Sequence, residues 1–186
     1  MREKTRKVYS LEKLVAIRQR LKRRGKKVVF TNGCFDLLHA GHIRLFHEAK
    51  RLGHVLIVAL NSDASVRRLK GPTRPVFPLR ERFEILAAVA EIDYLTSFAE
   101  PTPQKTIAAL RPDVLVKGGD WGPLEIVGRA EVEAAGGRVV RAPYFKGYST
   151  SSIIRRIARS SWNKKSPPLF PPEGKKGGLF RPKKQF

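Results

Sequence analysis

Apolar positions along the chain alternate between two rhythms. Leu11, Leu14, Val15, Ile17 and Leu21 recur at helical spacing and give one apolar stripe. Ser10 is placed to cap that helix, with Lys13 rather than Glu at the third position, and Gly25 suits a left-handed stop. Val28 to Phe30 read as a short buried strand, broken by Asn32-Gly33. From Gly41 the helical rhythm returns through Ile43, Leu45, Phe46 and Ala49, and Gly53 ends it. His54 to Leu60 form a near-continuous apolar run, the pattern of a strand covered on both faces. A short helix over 64–69 leads into the proline-stiffened basic loop Lys70-Gly71-Pro72-Thr73-Arg74-Pro75. Helices are then predicted over 79–90, 103–110, 124–135 and 153–159, and strands over 92–96, 112–116 and 138–142. Five strands alternating with helices imply an α/β, Rossmann-like, doubly wound five-stranded parallel sheet with right-handed crossovers.

Composition divides the 186 residues into three parts. Residues 1–27 hold 12 Lys and Arg against 2 acids: a frayed basic end over 1–7, then a leading helix packed on the core. Residues 28–161 are expected to form the central α/β domain. Residues 162–186 hold 7 Lys and Arg against 1 acid among Pro and Gly pairs, the composition of a disordered tail. The net charge of +22 therefore lies mostly outside the central domain, which keeps +6. Such fringes can meet nucleic acid or simply solubilise the chain. No recognition helix, aromatic stacking motif or zinc finger supports a specific nucleic-acid partner. A single Cys and the absence of a signal-like run point to a reduced, cytoplasmic protein, and no stretch approaches the ~20 apolar residues of a membrane span.

The chemistry concentrates in Gly33-Cys34-Phe35-Asp36-Leu37-Leu38-His39-Ala40-Gly41-His42. A strand, a glycine turn and a helix start place two histidines where unpaired N–H groups and the helix dipole favour phosphate. His-x-x-His can also hold a metal, but no third ligand at zinc spacing accompanies it. Neither Gly-x-Gly-x-x-Gly nor a P-loop is present, so a dinucleotide reading is unsupported. Asn61-Ser62-Asp63 ends the second strand, where ligands gather in open sheets. Lys117-Gly118-Gly119-Asp120 ends the fourth, with glycines that allow a base or ribose to approach the backbone. Ser149-Thr150-Ser151 caps the last helix with free N–H groups suited to phosphate. Taken one at a time, Lys117-Gly118-Gly119-Asp120 reads as an ordinary strand-to-helix turn and Ser149-Thr150-Ser151 as a plain helix cap, both common.

The long form of the signature resembles that of the nucleotidyltransferase superfamily, G-x-F-D-x-x-H-x-G-H. Together with 61–71, Arg74-Pro75, 117–120 and Tyr148-Ser149-Thr150-Ser151, it is similar to the adenylyltransferases of bacterial ADP-heptose synthesis, over roughly residues 8–159. That resemblance implies transfer of AMP from ATP to D-glycero-β-D-manno-heptose 1-phosphate by direct in-line attack. His39 and His42 would then contact the α- and β-phosphates, with Lys70 and Arg82 as phosphate clamps and Arg80 secondary. Thr31, Asn32, Gly33, Cys34, Phe35 and Gly41 would form the nucleotide loop. Ser149, Thr150 and Ser151 would take the β/γ-phosphates, and Gly118, Gly119 and Asp120 the nucleoside. Asp36, Asn61, Asp63 and Lys117 would face the substrate, with Asp36 also orienting the glycine turn. No protein-held metal is implied; Mg²⁺ would sit mainly on phosphate oxygens. The family often dimerises and is often fused to a sugar kinase, so a stand-alone form working beside a separate heptose kinase is expected. Two departures are visible. Cys34 stands where related cytidylyltransferases carry Thr, and Tyr144-Phe145-Lys146-Gly147 stands where some carry Arg-Thr-Glu-Gly. A cytidylyltransferase of glycerol 3-phosphate or a phosphoamine is the competing enzyme reading. A nucleic-acid binder using the basic termini is the competing non-enzyme reading.

Overall fold

The computed structural model describes residues 6–118, 126–143 and 147–159. The expected tail over 162–186, Gly119, Asp120 and the departure at 144–146 lie outside the described residues.

In chain order the elements are α1 (Leu11–Arg23), β1 (Val28–Gly33), α2 (Ala40–Arg51), β2 (Val55–Asn61), α3 (Asp63–Lys70), α4 (Leu79–Ala87), β3 (Tyr94–Phe98), α5 (Gln104–Leu110), β4 (Val114–Lys117), α6 (Arg129–Ala134), β5 (Arg138–Arg141) and α7 (Thr150–Arg159). The five strands lie in the order β3-β2-β1-β4-β5, every pairing parallel. The order reverses between β1 and β4, and a crevice opens outside the carboxyl ends of the strands at such a point.

Strand pleating sends alternate residues to two cores. Val29, Leu56, Val58, Leu60, Val114 and Val116 join Phe46, Ala49 and Leu86 on one face. Val28, Phe30, Ile57, Ala59 and Leu115 join Leu14, Ile107, Leu110 and Val132 on the other. All of these are 2% exposed or less, which explains the unbroken apolar runs of the central strands.

The leading helix packs as expected, through Leu14 into the second core and against α5. Ser10 caps it by accepting from the Lys13 N–H at 3.4 Å, and Gly25, with φ of 65°, follows its end. The chain docks earlier than its charge suggests. The Leu95 N–H donates to the Lys7 carbonyl at 2.7 Å and the Tyr9 N–H to the Leu95 carbonyl at 2.9 Å, extending the sheet edge beside β3.

Two aspartates seal the amino edge of the sheet. Asp113, before β4, accepts from the Val28 N–H at 2.7 Å and from Arg18 at 2.9 Å. Asp93, before β3, accepts from the Leu56 N–H at 2.6 Å and pairs with Lys50. Each carboxylate thus satisfies a donor at the start of the neighbouring strand that would otherwise be unpaired in the core.

Candidate functional site

β1 runs three residues further than its apolar run, because Asn32 and Gly33 keep the parallel ladder with Ala59 and Leu60. The turn comes at Cys34-Phe35, and Phe35 takes a left-handed φ of 44°, unusual for an aromatic residue. Two contacts hold it there. The Arg82 guanidinium donates to the Cys34 carbonyl at 2.6 Å, and the Phe35 ring packs beneath Gly33, where an added Cβ would lie 3.0 Å from the ring. Burial pushes the Cys34 thiol pKa up, so the group stays protonated.

Asp36 closes the turn. Its side chain is 1% exposed and accepts from Arg74 at 2.6 Å, from the Val76 N–H at 2.7 Å and from the Phe77 N–H at 3.1 Å. The carboxylate therefore ties the basic loop to the signature, its oxygens taken up by Arg74 and two backbone N–H groups.

α2 begins one residue ahead of Gly41, with His39 as its cap residue in extended conformation and no cap hydrogen bond from the imidazole. That ring is left to stack on His42, with centroids 3.7 Å apart and planes 17° from parallel. The edge of Phe35 meets His42 at 5.2 Å, and Phe46 lies behind Phe35 at 5.1 Å. Gly41 is required here, since a Cβ would come within 2.9 Å of the Tyr148 Cβ and 3.1 Å of the His39 ring. Burial and the neighbouring His39 hold the His42 pKa down at about 3, and burial lowers His39 as well. Both imidazoles are therefore neutral at pH 7, and among the described residues each Nδ1 is a buried atom without a hydrogen-bond partner. An anion beside the rings would favour their protonated forms.

These groups line one cleft of about 520 Å³ at the carboxyl edge of the sheet. Asn32, Gly33, Cys34, Phe35, Asp36, His39, Gly41, His42, Asn61, Lys70, Lys117, Gly118 and Ser149 to Ser151 all border it. Lys117 bonds Asn32 across the β1–β4 junction, and Asn61 donates to Ser65 at 3.0 Å. α7 starts at Thr150, three residues before the expected Ile153. Ser149 caps it by accepting from the Ser152 N–H at 3.1 Å, and Thr150 reaches across to the Leu37 carbonyl at 3.3 Å. Two helix N-termini, of α2 and α7, thus face one cleft.

Three expected site residues lie elsewhere. Arg82 is 1% exposed and sits beneath the turn, bonded to Asp63 at 2.7 Å and to the Cys34 and Phe77 carbonyls. A clamp over phosphates does not fit that position, because the guanidinium donates to Asp63 and to the Cys34 and Phe77 carbonyls. Asp63 is occupied by the same ion pair. Thr31 is 1% exposed, with its hydroxyl turned into the interior. Conversely, the Pro101–Pro103 turn borders the cleft without having been singled out, and Arg74, Tyr148 and Leu69, present only as parts of longer motifs with no role of their own, border it too. Arg74, Leu69 and Tyr148 carried a signal as members of the quoted motifs; the Pro101–Pro103 turn carried none, since its approach comes from a distant part of the chain.

A family model described as cytidylyltransferase-like matches residues 30–156. The chain is 57% identical over 136 residues to the "Bifunctional protein HldE" of Syntrophotalea carbinolica, covering 73% of this chain and 28% of that protein. It is 52% identical over 154 residues to the protein of the same name from Geobacter metallireducens, covering 83% and 31%. The chain thus spans under a third of the length of these relatives. Among solved structures, a lipopolysaccharide core biosynthesis protein from Thermoplasma volcanium superposes with a TM-score of 0.56 at 28% identity, covering 65% of this chain and 99% of that one. A pantoate-beta-alanine ligase from Francisella tularensis, solved with an ATP analogue and beta-alanine, shares the fold with a TM-score of 0.53 at 17% identity, covering 73% and 66%.

Proposed function

The chain belongs to the cytidylyltransferase-like family of nucleotidyltransferases, and from that footing we propose that it transfers AMP from ATP to a sugar 1-phosphate, D-glycero-β-D-manno-heptose 1-phosphate. The observation carrying this reading is the stacked His39–His42 pair at the start of α2, facing the start of α7 across one cleft. Two positively poised helix ends suit a polyphosphate bound between them. The names of the relatives, a bifunctional HldE protein and a lipopolysaccharide core biosynthesis protein, support the sugar.

In this reading a phosphate oxygen of the sugar attacks the α-phosphorus of ATP, the bond to the β-phosphate oxygen breaks in line, and pyrophosphate leaves. No group on the protein becomes covalently attached. Catalysis consists of holding the reactants in line and stabilising the charge that develops. The imidazoles supply neutral N–H donors to the α- and β-phosphates and gain charge as the anion settles. Ser149 to Ser151 and the start of α7 hold the β/γ-phosphates, and Lys70, from the end of α3, covers them. Lys117 and Gly118 edge the nucleoside side of the cleft. Mg²⁺ would be carried on phosphate oxygens and supply charge neutralisation there, with no side chain of the described residues needed to hold it. Asp36, a carboxylate in the lining, is already filled by Arg74 and two backbone N–H groups.

A panel of nucleoside triphosphates against sugar 1-phosphates and glycerol 3-phosphate, read by pyrophosphate release, tests the proposal. ATP with heptose 1-phosphate should react fastest. Turnover confined to CTP with glycerol 3-phosphate would replace the reading with the cytidylyl one. Release with no pair would remove it.

A further inference from the structure

Tyr148 belongs to none of the groups assigned above, yet it is 40% exposed at the cleft mouth and touches the signature helix at two points. Its Cβ rests where only a glycine at position 41 leaves space. Its ring stacks over His39, with centroids 6.4 Å apart and planes 27° from parallel. Arg44, one turn into α2, sets its guanidinium carbon 5.1 Å from the centre of the Tyr148 ring. A continuous pile results, from Phe46 in the core through Phe35, His42 and His39 to Tyr148 at the surface. Its inner members are locked by the core, while His39 is covered on its outer side by a residue brought from the far end of the chain. The His39 ring makes no cap hydrogen bond and its Nδ1 has no hydrogen-bond partner among the described residues, so its stacking on His42 and Tyr148 bears directly on its torsion.

We propose that Tyr148 is a positioning residue for His39: its ring, steadied by the Arg44 guanidinium, holds the His39 imidazole in line with the phosphates. The inference rests on the catalytic role given to His39 above. Stacked aromatic pairs and cation–π contacts are both strong enough to select one ring torsion. Tyr148 also directly precedes Ser149, so the same contact couples the α7 phosphate loop to the α2 histidines. The hydroxyl has no part in this; the ring face does.

The test is a double-mutant cycle on turnover, with ATP and the sugar phosphate. Tyr148→Ala should lower kcat about tenfold with the KM for ATP within twofold, and Tyr148→Phe should restore kcat to within about threefold. In a His39→Ala background, Tyr148→Ala should cost less than twofold more. Multiplicative losses in the double variant, or a rise in KM at constant kcat, would make Tyr148 a substrate contact and overturn the proposal. Equal damage from Phe and Ala would overturn it too, by assigning the effect to the hydroxyl. Full activity in His39→Ala alone removes the catalytic reading of that histidine, and this inference with it. Should Tyr148→Ala fail to fold, Tyr148→Leu removes the aromatic face while keeping bulk, and carries the same expectations.

Discussion

At the scale of single residues, the proposed function gives the two stacked histidines a chemical role on top of their structural one. Removing one donor that stabilises developing charge typically costs 10²–10³ in turnover. His39→Ala and His42→Ala should each fall in that range by steady-state pyrophosphate release. His42 also makes stability depend on pH. Its folded pKa of about 3 lies below the ordinary 6.5, so between those values the unfolded chain binds the extra proton. The contribution is complete above pH 6.5 and is lost as pH falls towards 3. Urea denaturation at pH 7 and pH 5 should show the wild type losing more stability than His42→Phe, by up to ~1.4 kcal/mol per pH unit. Arg82 behaves differently from a surface cation. Breaking a buried pair by removing one partner costs about 3–5 kcal/mol. Because Asp63 keeps partial exposure, Arg82→Ala should sit near the lower end, ~3 kcal/mol by denaturation. Turnover should fall with it as the Cys34 carbonyl is released, and an unchanged melting curve would contradict the placement.

At the scale of elements, the two edges of the sheet do separate jobs. The carboxyl edge collects the cleft, with strand ends, helix starts and Asp36 acting together as a clasp on the loop over 74–77. The amino edge is structural. Asp113 there satisfies the Val28 N–H and neutralises Arg18, which is 6% exposed. Asp113→Ala leaves a buried donor and a buried charge together, so about 3 kcal/mol of stability should go. The cleft lies at the opposite edge, so kcat measured well below the melting temperature should stay within about twofold. Helix starts also differ in purpose. Ser10 and Ser62 cap α1 and α3 with their own hydroxyls, whereas His39 leaves the start of α2 without a side-chain cap. The uncapped start of α2 and the Ser149-capped start of α7 both face the cleft.

At the scale of the whole molecule, the charge of +22 must be divided by position before it means anything for function. Lys22 to Lys27 gather where α1 hands over to β1, at the amino edge of the sheet. Strands of four to seven residues at ~3.3 Å per residue separate that edge from the cleft by more than a Debye length of ~8 Å. Lys22→Ala and Arg23→Ala should therefore leave kcat/KM nearly unchanged at physiological salt. Lys70→Ala should lower it roughly ten- to a hundredfold, the worth of one hydrogen bond to a charged group. If all three variants behave alike, Lys70 is only another surface cation. The amino-acid sequence by itself determined the order of elements, the parallel sheet and the signature, because hydrophobic periodicity, caps and glycine stops act over a few residues. It could not determine where β1 ends, since Asn32 and Gly33 are strand only through their pairing with Ala59 and Leu60. Nor could it separate a phosphate clamp from a buried strut. Lys70 and Arg82 read alike in one dimension, but only Arg82 has Asp63 and two carbonyls within reach in three. Tyr148 lies over a hundred residues from His39 in the chain and beside it in space. Contacts of that kind exist only once the chain is closed by its cores, and so only the tertiary structure decided them.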